Sequence, residues 1–407
     1  MSSFLPTRGL PGWLLLMGAL TAIGPFSIDL YLPAFPAIAT GLNVGQGDVE
    51  RTMAAYLLGL SAAQVFYGPL ADRYGRKPPL LVGLSLYIIA SLGCALAVDI
   101  ESLTAWRAVQ ALGGAAGVVI PRAVIRDHYD TQEAARALSL LLLIMGLAPI
   151  LAPLVGGQLL LLTGWRGIFG LMLAAGVALM AAMLFIMKES LPPERVVRLH
   201  WRTIARNYGE LLRHRKFMAH SLAGGLGQAG MFAYIVGSPR VFIELYGVDP
   251  QHYGLLFGLN AAGLIVGSQV SARLLGRMAP QTLQRRALVT LALASLASVL
   301  LTLAGWMTLP LLMVCLIGYM SSQGFVNPNS AALALAEQGK RLGVASALLG
   351  TLQLSCGALA GLCVSLWQDD TPLPLTGVLA ACACLSWLAG RVARTGAARP
   401  AAAGTGA

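Results

Sequence analysis

The chain has 407 residues, of which 57% are hydrophobic and only 11% are charged, and its mean hydropathy is +0.72. A soluble domain of this size carries about a quarter charged residues, so the composition argues against soluble enzymes, nucleic-acid-binding proteins and disordered proteins. The six cysteines all lie in apolar runs, which is typical of small hydrophobic residues and not of a disulfide framework or a metal site. The composition therefore predicts a polytopic membrane protein.

Twelve apolar runs are long enough to cross a membrane, because a bilayer core needs about 20 mostly apolar residues per helix. We number them as spans 1 to 12, at about 11–36, 51–71, 79–98, 102–122, 137–162, 167–187, 219–243, 251–272, 285–305, 309–329, 342–366 and 373–393. The predicted fold class is an all-α membrane protein with twelve transmembrane helices in two six-helix halves. Its predicted parts are an N-terminal half at 1–187, a basic cytoplasmic central loop at 188–218, a C-terminal half at 219–394 and a disordered tail at 395–407.

Basic residues set the predicted orientation, since cytoplasmic loops carry an excess of Lys and Arg. If both termini are cytoplasmic, that side holds all but four of the 28 Lys and Arg residues, the exceptions being Arg51, Arg107, Arg166 and Arg240. This bias excludes the inverted topology. It also explains the net charge of +11 without nucleic acid, so the expected partners are the lipid bilayer and small solutes.

The loop between spans 2 and 3 carries the sharpest motif, GPLADRYGRKP at 68–78. The loop between spans 8 and 9 reads ARLLGR at 272–277, and its Ala and Gly match those of the first loop at one offset of 201 residues. Arg273 stands where the first copy has Asp72. A faded repeat at half the chain length indicates duplication of a six-helix unit.

This loop, the twelve spans and the basic central loop resemble the major facilitator superfamily. Further segments are similar to its bicyclomycin and chloramphenicol resistance group (Bcr/CflA), drug–proton antiporters of the inner membrane: IDLYLP at 28–33, RAVQ at 107–110, RD at 126–127, APLVGG at 152–157 and KESLPPE at 188–194. The resemblance implies an alternating-access carrier built from inverted three-helix repeats. It also implies a monomer of the inner membrane, driven by a proton gradient without a cofactor.

The resemblance places Asp72 at the cytoplasmic start of span 11, near Leu342 and Gly343, where an acid opposes the partial positive charge of a helix N-terminus. One interpretation is a conformational latch that holds the cytoplasmic side closed. The other is ordinary positive-inside anchoring by the basic residues. The predicted latch residues are Gly68, Asp72, Arg73, Gly75 and Arg76.

Two charges stand inside the spans. Asp29 is the one acid well inside an apolar run, with Glu244 at the outer edge of span 7, and Arg107 is the one base away from a cytoplasmic end. Both lie roughly 8–10 Å below the outer surface at 1.5 Å per residue. In one hypothesis Asp29 carries the proton and Arg107 stabilises its deprotonated state. In the other Asp29 is a wet interfacial residue and Arg107 snorkels.

Polar and aromatic residues recur along helical faces of the spans. Each of them either joins two helices or contacts a ligand. Together they predict a mostly apolar cavity for an amphiphilic organic solute, lined by Phe26, Tyr31, Tyr56, Gln64, Gln110, Gln228, Phe232, Asn260 and Gln353. Span 5 carries a predicted helix-kink motif, which simple packing would also explain, at Pro149, Pro153, Gly156 and Gly157.

The sequence thus predicts a proton-coupled exporter of small organic compounds. The alternative is a proton-linked exporter or symporter of an endogenous metabolite such as an amino acid or a nucleoside. A membrane sensor would need an attached signalling domain. A membrane enzyme would need a nucleophile with its base, or metal ligands, inside the spans, and the sequence shows neither.

Overall fold

The computed structural model describes residues 12–192, 194, 201–367 and 369–395, and its regular structure there is entirely helical. The helices in chain order are α1 (Gly12–Asp29), α2 (Phe35–Leu42), α3 (Gln46–Tyr74), α4 (Lys77–Ala95), α5 (Ile100–His128), α6 (Thr131–Ile186), α7 (Trp201–Arg213), α8 (Arg215–Pro239), α9 (Pro250–Leu274), α10 (Pro280–Leu303), α11 (Leu309–Leu335), α12 (Leu342–Leu366) and α13 (Leu373–Thr395). Short 3-10 turns lie at Leu32–Ala34 and Gly339–Arg341, and a π-helical turn lies at Arg240–Leu245. The all-α prediction is confirmed, while the predicted tail beyond Thr395 lies outside the described residues.

Ten stretches of the described chain are long and apolar enough to cross a membrane. One of them, Leu143–Ile186, passes Gly164, whose φ of 68° and ψ of −177° break the helical path of α6. Two helices therefore meet at Gly164. With α6 counted as two helices and α8 included, the long helices follow the twelve predicted spans in order, and the predicted multi-pass fold is confirmed.

The first span extends further than the sequence predicts. It runs over Gly12–Leu42 instead of ending at residue 36, because α1 ends at Asp29 and α2 continues beyond a 3-10 turn. Pro33 lies in the first turn of the 3-10 helix and Pro36 in the first turn of α2, where a missing N–H is tolerated. Asp29 thus lies at the end of α1, at the helix break inside this stretch.

The predicted central loop at 188–218 contains a helix. α7 packs against α8 and α12, and the start of α8 at Arg215 precedes the predicted start of span 7. Leu211 of α7 is buried, and Glu210 forms an ion pair with Arg341 at 2.5 Å. Residues 193 and 195–200 of this segment lie outside the described residues.

Helices α1–α6 pack mainly on one another, as do α8–α13, and the two groups meet along α3 with α12 and along α6 with α9. We call α1–α6 the first group and α8–α13 the second group. The inner end is the end of the bundle that bears the loop after Tyr74, and the outer end is opposite. The distribution of basic residues predicts that the inner end faces the cytoplasm.

The two groups are closed at the outer end. There the 3-10 turn at Leu32–Ala34 contacts α8 and α9, and α2 contacts the π-helical turn. At the inner end, a Cβ atom placed on Gly68 of α3 or on Gly343 of α12 would meet nothing within 4 Å. Helices α3 and α12 therefore do not pack against each other at these positions, and the inner end is the open one.

Candidate functional site

Arg107 of α5 is fully buried, and its positive charge is held by aromatic faces and neutral oxygens. Its guanidinium carbon lies 4.5 Å from the ring centre of Tyr31 and 4.2 Å from that of Tyr56. Nη1 donates to Gln110 Oε1 at 2.6 Å, and Nη2 donates to the Ser27 carbonyl oxygen at 3.1 Å. Such cation–π contacts strengthen when the cation is desolvated, as it is here.

This hydrogen-bond network continues through the first group. Gln110 Nε2 donates to Ser91 Oγ at 2.8 Å, and the hydroxyls of Ser27 and Tyr87 share a hydrogen bond of 2.7 Å. The network joins α1, α4 and α5 around Arg107. Gln110, predicted to line the cavity, thus has both amide atoms engaged inside the first group.

Asp29 is buried at the boundary between the two groups, with 3% of its surface exposed. In the described chain no ion pair joins its carboxylate to Arg107, which is directed at Ser27 and Gln110 instead. The carboxylate lies within electrostatic range of the phenols of Tyr56, Tyr234 and Tyr253. The structure therefore brings Asp29 and Arg107 into one region of the fold without direct pairing.

Tyr234 and Tyr253 belong to the second group and were missed by sequence reasoning. Asn260 Nδ2 donates to Tyr234 Oη at 3.1 Å, and the hydroxyls of Tyr253 and Ser238 lie 2.7 Å apart. Tyr234 also stacks on Phe257, with ring centres 5.3 Å apart. A tyrosine in an apolar run gives no sign of its partner, so no local pattern could have found this cluster.

The predicted cavity residues differ in burial and in their contacts. Phe26, Gln64, Gln228 and Gln353 are each half-buried. Gln353 Nε2 donates to Asn327 Oδ1 at 2.9 Å, whereas Gln228 Oε1 is buried without a hydrogen-bond partner. Phe232 is buried, and it packs closely against Gly357 of α12.

Helices α3 and α12 are joined directly near the middle of α3. The hydroxyls of Ser61 and Ser355 lie 2.7 Å apart, and Ser61 Oγ also donates to the Thr351 carbonyl oxygen at 3.1 Å. A Cβ on Gly350 would lie 3.1 Å from Gln64 Oε1. The seam between the groups is therefore closed from this level outward.

The loop that carries the GPLADRYGRKP motif is held in place by contacts within the first group. Arg76 is buried between Asp72, at 2.5 Å from Nη1, and Asp127 at the end of α5, at 2.8 Å from Nε. Glu189, beyond α6, accepts the backbone N–H groups of Arg76 at 2.8 Å and Lys77 at 3.0 Å. Although partial burial opposes ionisation, these backbone donors lower the pKa of Glu189. Asp127 and Glu189 belong to the RD and KESLPPE motifs, although neither is among the predicted site residues.

The predicted latch is not made across the two groups in this conformation. The half-exposed Asp72 pairs with Arg76 within its own group, and open space surrounds Gly343. Arg73 is exposed, with its guanidinium 6.0 Å from the ring centre of Tyr74. The side chain of Leu342 lies outside the described residues.

The predicted helix-kink residues lie where α6 touches two other elements. Pro149 is half-buried and Pro153 buried. A Cβ on Gly156 would overlap the Leu30 carbonyl oxygen, within the first group. A Cβ on Gly157 would lie 2.8 Å from the carbonyl oxygen of Pro250, which belongs to the second group. These glycines allow close backbone approach on both sides of α6.

Comparisons with known proteins agree with this architecture. The family described as Major Facilitator Superfamily matches residues 16–362. The Bacillus subtilis protein called uncharacterized MFS-type transporter YdgK is 36% identical over 92% of this chain and 93% of its own. The bicyclomycin resistance protein homolog of Haemophilus influenzae is 29% identical over 93% and 94%, respectively. Multidrug resistance protein MdtL of Escherichia coli O157:H7 is 32% identical over 91% and 92%.

A solved structure supports the fold alone. The crystal structure of a bacterial homolog of the human lysosomal transporter Spinster has a TM-score of 0.73 at 15% identity, covering 96% of this chain and 98% of its own. The chain is therefore a multi-pass membrane transporter of small molecules and not an enzyme. It belongs to the major facilitator superfamily, and its motifs resemble those of the Bcr/CflA group within that family.

Proposed function

We propose that this transporter is a proton-coupled multidrug exporter, which moves small amphiphilic organic compounds out of the cytoplasm by drug–proton antiport and alternating access. The observation that carries the proposal is the buried, unpaired carboxyl group of Asp29 at the boundary between the two helix groups. An ionised carboxylate buried without a cation is costly, so Asp29 is most stable there when it holds a proton. Water or a cationic drug arriving from the inner end would favour release of that proton.

Arg107 supports this cycle by position. Its guanidinium is pinned by Ser27, two residues before Asp29 in the chain, so it holds the end of α1 in place. A fixed positive charge in the same region favours the deprotonated carboxylate once water enters. Each proton moving down 100 mV contributes about 2.3 kcal/mol, which sustains roughly a fifty-fold solute gradient at 1.4 kcal/mol per decade.

The substrate class follows from the lining between the groups. Phe26, Gln64, Gln228 and Gln353 offer apolar surface with a few amide groups, which suits amphiphilic organic compounds. The names of the bicyclomycin resistance homolog and the multidrug resistance protein among the relatives support the same class. We place the chain in the inner membrane as a monomer, with both termini in the cytoplasm and no cofactor.

The test uses inside-out membrane vesicles with an acidic lumen and a luminal pH dye. Addition of chloramphenicol or bicyclomycin is expected to trigger proton efflux from wild-type vesicles and drug uptake into them. Asp29→Asn is expected to abolish both signals. Asp48→Asn is the matched control, because Asp48 is only partly buried and its carboxylate pairs with the exposed Arg51 at 2.9 Å.

Three outcomes would contradict the proposal. Proton efflux that survives in Asp29→Asn would place the transported proton on another residue. Drug uptake without proton movement would show that drug transport is not coupled to proton transport. A response to amino acids or nucleosides, with none to either drug, would replace the drug by an endogenous metabolite.

A further inference from the structure

A second buried carboxyl group lies near the outer end of the first group. Glu50 of α3 is 1% exposed, and neither of its carboxylate oxygens has a hydrogen-bond partner among the described residues. The predicted span 2 begins only at residue 51, so the sequence places Glu50 just outside it. Gln46, one turn earlier on the same helix, is also buried, and both of its amide atoms lack a partner in the described part of the chain.

The surroundings of Glu50 come from the second group. Glu50 lines a cavity of about 10 Å³, roughly the space of one water molecule, together with Arg240, Asp369 and Thr371. Its carboxyl group interacts electrostatically with Arg240 and Glu244 on the π-helical turn. Among the described residues, these two and Asp369 are the titratable groups of the second group that face Glu50.

The remaining charges nearby are engaged elsewhere. Asp370, in the connection between α12 and α13, lies 3.8 Å from Nη2 of Arg240. On the helix of Glu50 itself, Asp48 and Arg51 pair with each other at the surface. In the part of the chain that the structure describes, no hydrogen-bond donor reaches the carboxyl group of Glu50.

A second cavity lies near this carboxyl group. It has a volume of about 420 Å³, is open to solvent and is lined by residues of both groups, among them Gln46, Arg240 and Glu244. Arg240 lines both cavities, so the two cavities are neighbours. Separation of the two groups at this end would bring Glu50 into contact with water.

We propose that Glu50 is a second proton-binding residue, which takes up a proton from the outer water as the outer end closes and returns it to the same water as that end opens. The reason is the difference in solvation: water stabilises the ionised carboxylate, whereas burial against the second group, without a hydrogen-bond donor among the described residues, favours the neutral acid. The proton on Glu50 does not cross the membrane, so the stoichiometry of transport is unchanged. Outer acid therefore favours the closed outer end, which assists return of the empty carrier. This inference rests on the proposed function only in assigning drug release to the outward-open state.

The test measures outer opening directly and needs neither a drug nor a proton gradient. Spin labels are attached at Thr40 of α2 and His252 of α9, both exposed at the outer end, in a variant whose six native cysteines are replaced. Electron–electron resonance distances are then recorded in nanodiscs between about pH 5 and about pH 9, a range that contains the titration of a perturbed glutamate. We expect the population with the longer distance to grow as the pH rises.

Glu50→Gln, which mimics the protonated acid, is expected to keep the short distance at every pH. Glu50→Asp should retain the pH response, as should Glu101→Gln, which removes an exposed carboxyl group at the same end. Size-exclusion profiles and thermal unfolding confirm that each variant is folded. A wild-type pH response that persists in Glu50→Gln, or a wild type without any response, would overturn the inference. Failure of the proposed function would instead appear as absent drug-triggered proton efflux in vesicles, whatever the distances show.

Discussion

Arg76 Nε lies 2.8 Å from Asp127 Oδ2, and the two side chains are only 7% and 9% exposed. This ion pair joins the loop after α3 to the end of α5, whose acid lies 51 residues further along the chain. A partly buried ion pair of this kind contributes little net stability to the fold, because the cost of desolvating its charges offsets their attraction. Removal of one partner is nevertheless destabilising, since the other is left as a buried charge.

Asp127→Asn is therefore expected to destabilise the first group. Arg76 keeps Asp72 as a partner, so we expect a loss of about 2 kcal/mol, below the range for a fully orphaned buried charge. Thermal unfolding in detergent measures the change. Asp48→Asn breaks the exposed pair with Arg51 and should cost less than about 1 kcal/mol. Equal effects of the two substitutions would contradict the assignment of a structural role to the buried pair.

Glu189 should make the stability of the same loop depend on pH. The backbone N–H groups of Arg76, Lys77, Ser190 and Leu191 overcome the opposing effect of burial and lower its pKa in the folded protein. A carboxyl group with a depressed folded pKa contributes stability above its unfolded pKa and loses it as the pH falls through the folded value. Wild-type thermal stability should therefore fall below about pH 4.5 more steeply than that of Glu189→Gln.

Glu133→Gln is the control for this comparison, because Glu133 is an exposed glutamate at the same end of the bundle. Its acid transition should match that of the wild type. The difference in thermal stability between the wild type and Glu189→Gln could instead be the same at every pH between about 3 and about 7. In that case the backbone donors do not act through the charge of Glu189.

Most of the fold could be predicted because the thickness of the bilayer sets the length of each apolar run in the sequence. Apolar runs of about 20 residues and an asymmetric distribution of Lys and Arg need no long-range information. The end of span 1 could not be predicted in the same way. The predicted span ends at about residue 36, whereas α2 continues to Leu42 after a short 3-10 turn. Helix α7 lies in a polar segment, so a search for apolar runs does not detect it.

The candidate site was only partly predictable. Asp29 and Arg107 stand out as charges in apolar runs, but their partners lie far away in the chain. Tyr234 and Tyr253 reach the region of Asp29 only through packing of the two groups. Glu50 was missed for a related reason, since an acid beside a predicted span boundary gives no local sign of burial by the second group.

Gly156 and Gly157 are adjacent but should respond differently to alanine. Gly156 touches Leu30 within the first group, so Gly156→Ala is expected to cost about 1–3 kcal/mol of stability through overpacking. Gly157 approaches Pro250 across the seam between the groups, so Gly157→Ala should favour outer opening at little cost in stability. Thermal unfolding measures the first effect, and the spin-label distance between residues 40 and 252 measures the second.

Gly170→Ala serves as the control for both substitutions, because a Cβ there would meet nothing within 4 Å. It should leave the outer distance unchanged and the stability equal or slightly higher, since alanine favours helix over glycine. Identical behaviour of Gly156→Ala and Gly157→Ala would show that the two contacts do not separate packing within a group from packing between groups.

Arg107→Lys is expected to impair transport although it preserves the positive charge. A lysine ammonium cannot stack its plane on Tyr31 and Tyr56 while donating in two fixed directions, to Gln110 and to Ser27. Loss of one charged hydrogen bond and part of the cation–π contact, about 1.5–3 kcal/mol, corresponds to a fall of at least about tenfold in the rate of drug uptake into inside-out vesicles.

Arg166→Lys provides a matched comparison at the outer end. Arg166 also stacks on an aromatic ring, at 4.1 Å from Trp165, and also donates to a carbonyl oxygen, that of Ala97 at 3.0 Å. It lies outside the central cluster, so its replacement should leave drug uptake within about twofold of the wild type, a change of less than about 0.5 kcal/mol. If Arg107→Lys matches the wild type, or if both variants lose uptake equally, Arg107 has no special role in positioning the end of α1 beside Asp29.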